Sequence, residues 1–107
     1  MNNSICDSKE ISFICEEIKR IFDVESITVF GVKRSQNDNS VTDTDICVVA
    51  HTDDKNAWIK KAYLEIDSDI PFDLFLYTPE EWSTLICQSE SFASRIVRKG
   101  CLYFGKA

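Results

Sequence analysis

The chain has 107 residues, 44% apolar and 28% charged, which is ordinary globular usage for one compact domain spanning residues 1–107. Its 18 acidic and 12 basic residues leave a formal net charge of −6, which disfavours nonspecific nucleic-acid binding. A single nucleotide stays open, because a bound divalent cation inverts the local field.

Residues 8–22 read as a helix. Ile11, Ile14, Cys15, Ile18 and Phe22 recur at three- and four-residue spacing and form one apolar stripe. Asp7 is the expected cap, with Glu10 as its reciprocal partner. Lys19 and Arg20 fall near the C-terminus, where cations suit the helix dipole. SITVFGV, residues 26–32, is β-branched and aromatic, hence a strand, and Gly31 is expected to break it. The polar run 33–41 fits a short helix or a long loop. DICVVA, residues 45–50, is almost continuously apolar and predicts a strand covered on both faces.

Residues 53–67 read as a second helix with Trp58, Ile59, Ala62 and Ile66 on its buried side and Tyr63 beside them. PFDLFLY, residues 71–77, is a third strand. Thr78, Pro79 and Glu81 then open another helix with a capping box and a proline at the first helical position. A further helix is expected over 91–99, ending at Gly100, and CLYF, residues 101–104, as a last short strand. The order predicts an α/β (α+β) layer, a small mixed β-sheet with helices packed on it.

There are five cysteines, and no CxxC pair occurs. That suggests free thiols in a reducing cytosol, no disulfide framework and no zinc site. No run of 18 apolar residues and no signal-peptide pattern is present, so the expected setting is cytoplasmic, with no membrane partner.

The chemistry concentrates in TDTDICVV, residues 42–49. Side chains two apart on a strand share a face, about 6.6 Å apart at Cα. If the strand starts by residue 43, Asp43 and Asp45 point together. Asp73 stands inside the third strand, where an isolated charge is expensive without a counter-ion. If the two strands are neighbours, three hard oxygen ligands meet on one face, a set that suits Mg²⁺ or Mn²⁺. The plain alternative is that Asp43 and Asp45 end a loop and Asp73 sits on an exposed edge. Gly31 permits close backbone approach, and Lys33 and Arg34 follow it. A helix beginning there offers free N–H groups and two cations to a phosphate. A turn with a solvated face is the simpler reading of that run. No EF-hand loop, Walker motif, GxGxxG or nucleophile elbow is present. His51, the only histidine, reads as a surface loop residue. The aromatics Trp58, Tyr63, Phe72, Phe75, Tyr77, Trp82 and Phe92 fit either a core or an interface.

GVKRSQNDNSVTDTDICVV, residues 31–49, together with FDLFLY, resembles the minimal nucleotidyltransferase family of the DNA-polymerase-β-like nucleotidyltransferase fold. Gly31 matches the family glycine, Asp43 and Asp45 the paired metal ligands at the family's spacing, and Asp73 the third carboxylate. The tail KGCLYFG looks like the family's ending. The resemblance implies the nucleotidyltransferase fold, with ATP or another nucleoside triphosphate as substrate. It implies two Mg²⁺ or Mn²⁺ ions held by Asp43, Asp45 and Asp73, and phosphate contacts from the Gly31, Val32, Lys33 and Arg34 segment. The implied reaction moves a nucleoside monophosphate to a hydroxyl acceptor and releases pyrophosphate. Small members act as dimers or beside an all-helical HEPN partner in toxin–antitoxin pairs. That implies a second role, a weakly active or inactive antitoxin module. Val32 departs from the family serine, and Gln36 from a second family glycine. A lost charge-assisted hydrogen bond costs about 1.5–3 kcal/mol.

Overall fold

The computed structural model describes residues 8–106. Among them the order is α1 (Lys9–Ile21), β1 (Ser26–Arg34), β2 (Val41–Val49), α2 (Lys55–Glu65), β3 (Phe72–Tyr77), α3 (Pro79–Leu85), α4 (Phe92–Lys99) and β4 (Cys101–Gly105). The strands form one sheet in the order β3-β2-β1-β4. β1 runs antiparallel to β2 and to β4, while β2 and β3 are parallel. The expected α+β class with a mixed sheet is therefore observed.

Each helix is present because its stripe and its caps agree. In α1, Ile11, Ile14, Cys15 and Ile18 are fully buried, as the spacing required. Its cap is Ser8, whose hydroxyl accepts from the N–H groups of Glu10 and Ile11. Ser8 Oγ also donates to Glu10 Oε1 at 2.8 Å. Asp7, the expected cap, lies outside the described residues. At α3, Thr78 and Glu81 make the expected reciprocal capping box with Pro79 behind the cap. Helix α4 stops at Gly100, as its sequence suggested.

The sheet is covered on both faces. Helices α1 and α2 close the larger core, where Ile27, Val29, Ile46, Val48, Leu74 and Leu76 meet Ile14, Ile18, Trp58 and Ala62. Phe22 stacks on Trp58 with ring centroids 3.8 Å apart. On the other face a smaller cluster joins Cys47, Val49, Trp82, Ala93 and Ile96 under α3 and α4. Strand β2 thus buries side chains in both directions, which explains its near-continuous apolar run.

Two expectations need correction here. Gly31 does not end the first strand. β1 continues to Arg34 and pairs there with β2, so the run 33–41 forms neither a helix nor a long loop. It is the tip of a β-hairpin. Ser35 N–H donates to Ser40 O, Asn39 N–H donates to Ser35 O, and Asp38 Oδ1 accepts from both the backbone and the hydroxyl of Ser40. Asn39 turns the chain with φ of 62°, a conformation asparagine tolerates better than most residues. Secondly, Cys101 is disulfide-bonded, against the reading of free thiols throughout. Cys15, Cys47 and Cys87 are free, and burial pushes the Cys15 and Cys47 thiols up to about 12. Among the described residues no helix is long and apolar enough to cross a membrane.

Candidate functional site

The site lies where β1, β2 and β3 come side by side at one end of the sheet. β2 starts at Val41, so Asp43 and Asp45 are both inside it and share a face. In the parallel β2–β3 pair, Asp45 is the direct partner of Asp73. In the antiparallel β1–β2 pair, Gly31 faces Asp45 and Lys33 faces Asp43. Gly31, Val32, Lys33, Asp43, Thr44, Asp45 and Asp73 line one hollow of about 80 Å³. A hollow of this size has room for a small ion with a few waters.

Gly31 leaves the space that the carboxylate above it occupies. A Cβ at this position would stand 2.3 Å from Asp45 Oδ2 and 3.0 Å from Asp45 Cγ. The Asp45 carboxylate therefore rests on the glycine backbone. The pairing register of β1 against β2 also shifts between Val29 and Gly31. Thr44, buried and placed between the two acids in sequence but on the opposite strand face, donates its hydroxyl to Gly31 O at 2.8 Å and fixes that segment. Bulges of this kind commonly re-aim groups beside functional sites.

The electrostatics are those of crowded anions. Asp45 is pushed above the usual carboxylate range, first by burial and next by the charges of Asp73 and Asp43. A hydrogen bond shared with Asp73 adds to the shift, and only Lys33 acts against it. Among the described residues, no three acidic, histidine or cysteine side chains are already gathered in a metal-ligand arrangement. The carboxylates border one hollow instead of converging on one point. The donor set still fits a hard divalent cation. It offers three carboxylates and no soft ligand, and the charges of Asp73 and Asp43 raise Asp45, where a cation would relieve it.

The expected phosphate segment is only partly assembled. Gly31, Val32 and Lys33 border the hollow, but Arg34 does not line it. Arg34 Nη1 donates to Asn39 O at 3.0 Å across the hairpin tip. Val32 packs its side chain against the larger core and pairs with Thr44. The helix that would have aimed free N–H groups at a phosphate is replaced by paired strand.

Two neighbours have contacts at the site that their place in the sequence does not indicate. One is Thr44, on the strand face opposite the acids that flank it. The other is Tyr63 of α2, whose hydroxyl accepts from Leu74 N–H at 2.9 Å, one residue beyond Asp73. No local pattern announces either role, because both depend on which strands pair. Of the aromatics left open above, Trp58, Phe72 and Trp82 belong to the cores, while Tyr63 and Phe92 are 44% and 40% exposed. Phe30, Phe75 and Phe92 pack edge to face or tilted, on the sheet face that carries the acids. His51 sits at the surface with Nε2 3.2 Å from Glu25 Oε2, far along the sheet from the hollow.

Comparison with known proteins gives no matching family model, no matching curated protein and no matching solved structure.

Proposed function

We propose that the chain transfers a nucleoside monophosphate from a nucleoside triphosphate, ATP in the first instance, to a hydroxyl acceptor and releases pyrophosphate. One observation carries this reading. Asp43, Asp45 and Asp73 border a single hollow whose floor is a glycine held against Asp45. Mg²⁺ or Mn²⁺ bound by these three carboxylates would supply charge neutralisation for the triphosphate and acidify the acceptor hydroxyl. Asp43 and Asp45 orient the triphosphate end, and Asp73, on the exposed edge strand, faces the acceptor. The acceptor oxygen bonds to the α-phosphorus while the α–β phosphoanhydride bond breaks, and the acceptor proton leaves to Asp73 Oδ or to solvent. Lys33, paired with Asp43, adds a positive charge at the phosphate side. The protein contributes placement and electrostatics, with no covalent step of its own.

The test is pyrophosphate release from ATP with Mg²⁺ and a candidate acceptor protein. Asp43→Asn and Asp45→Asn should each lower turnover by at least about 100-fold, the scale of losing a key electrostatic group. Wild-type turnover in both variants sinks the reading.

A second reading is supported by the other half of the site. Val32 is committed to the core and Arg34 to the hairpin tip, so phosphate contacts are fewer than the pattern implies. This favours a weakly active or inactive antitoxin module paired with a HEPN-type helical protein or a second copy of the chain. A complex that assembles and keeps its control after neutralisation of all three acids supports it. A cytoplasmic setting accords with the three free thiols, while the disulfide at Cys101 argues the other way.

A further inference from the structure

β3 is an edge strand, and Asp73 is exposed on it. An edge strand is held on one side only and leaves alternate backbone groups without a strand partner. Here one of those groups, Leu74 N–H, is taken up by Tyr63 Oη at 2.9 Å. The ring of Tyr63 lies on Phe72 with centroids 5.1 Å apart and the planes 29° from parallel. Tyr63 thus touches β3 on both sides of Asp73 in sequence, by its ring at residue 72 and by its hydroxyl at residue 74. Helix α2 holds it there through Trp58 and Ala62, both buried in the larger core.

The opposite side of β3 is fixed by the pairing of Asp45 with Asp73. Two like charges placed there repel, and the exposed edge is the side free to yield. A tie on that edge opposes the repulsion directly. Tyr63 is 44% exposed, so burial alone does not explain why its hydroxyl meets a backbone amide.

We propose that Tyr63 is a positioning residue for the acidic site. Its hydroxyl clamps the edge strand so that Asp73 stays opposite Asp45 and the pair can take a divalent cation together. The hydroxyl uses an acceptor lone pair on Leu74 and keeps its own proton to donate. This role rests on the reading of the hollow as a cation site.

The decisive variant is Tyr63→Phe, which keeps the ring on Phe72 and removes only the hydroxyl. Three readouts are taken on wild type and variant. They are amide hydrogen exchange at Leu74, Mn²⁺ affinity by titration calorimetry, and Tm in the absence of metal. The expected result is exchange at Leu74 at least about tenfold faster, Mn²⁺ Kd raised about 3- to 10-fold, and Tm changed by only a few degrees, the scale of one modest hydrogen bond. Unchanged exchange at Leu74 overturns the clamp. Faster exchange with unchanged Mn²⁺ affinity reduces Tyr63 to a structural hydrogen bond and also overturns the proposal. Failure of the wild type to bind Mn²⁺ removes the cation site itself, and the clamp's purpose with it. Retained wild-type binding with an unaffected variant removes only the role of Tyr63.

Discussion

At the scale of single residues, Gly31 and Asp45 form one unit. A methyl group at residue 31 would collide with the far end of the Asp45 side chain, at Oδ2, and not with backbone. The side chain can swing away, so Gly31→Ala should fold with little change in Tm. It should nevertheless weaken Mn²⁺ binding by roughly tenfold, because the carboxylate must leave its place over the glycine; each factor of ten is about 1.4 kcal/mol. Calorimetric titration beside a melting curve separates the two effects, and a variant that binds as tightly as wild type contradicts the packing argument. Asp45 itself carries a pH signature. The native carboxyl holds its proton more tightly than the unfolded one, whose ordinary value is 3.8. Its contribution to stability is therefore complete below that value and is lost as pH rises through the raised native value. Asp45→Asn removes this loss. In metal-free buffer the variant should match wild type in strong acid and become the more stable of the two as pH approaches neutrality. Thermal melts across that range check the sign, and a variant less stable than wild type at neutral pH reverses it.

At the scale of elements, legibility in the sequence followed how local each cause was. The stripe of α1 and the capping box at Thr78 are local, and both helices appear where the pattern put them. Ser8 took the cap because its hydroxyl reaches two backbone N–H groups, a choice between adjacent polar residues that spacing alone does not make. The run 33–41 lacks an apolar period, so its state was decided by pairing. Lys33 and Arg34 find partners in Asp43 and Val41, and a strand ladder outcompetes an isolated helical turn. The turn signal was nonetheless present in Asn37, Asp38, Asn39 and Ser40, residues that favour tight turns and left-handed backbone. The acidic site was legible in part for the same reason. Asp43 and Asp45 share a strand face by local periodicity alone. Asp73 joins them only because β3 lies parallel and adjacent to β2, which is a property of strand order. Arg34 donates to Asn39 O and does not line the hollow, a direction set by the hairpin and not by the residue's own neighbours in sequence. The role of Tyr63 needs both the edge position of β3 and the seating of α2, so nothing near residue 63 could announce it.

At the scale of the whole molecule, the hollow lies outside the two cores, at the end of the sheet where β2 and β3 begin. α1 and α2 fill one face, α3 and α4 fill part of the other, and the acids occupy the remainder beside Phe30 and Phe75. Folding therefore assembles three carboxylates around one hollow, with Lys33 offsetting only part of their charge. A cation that binds only the assembled site must raise global stability by mass action. At ten times its Kd it adds about 1.4 kcal/mol, which in a domain of this size is on the order of 5–10 °C in Tm. Protons compete for Asp45, so the stabilisation by Mg²⁺ should be largest near neutral pH and shrink as pH falls through that raised carboxyl. Replacing Asp43, Asp45 and Asp73 together by asparagine should abolish the shift while raising the metal-free Tm, because the same substitution removes the repulsion the cation relieves. Melting curves with and without Mg²⁺, on wild type and on the triple variant, measure both quantities in one series. An equal shift in the two proteins would place the cation elsewhere on this acidic chain. No shift in wild type would leave the three acids without the ligand their chemistry calls for, and the binding-module reading would then account better for the fold.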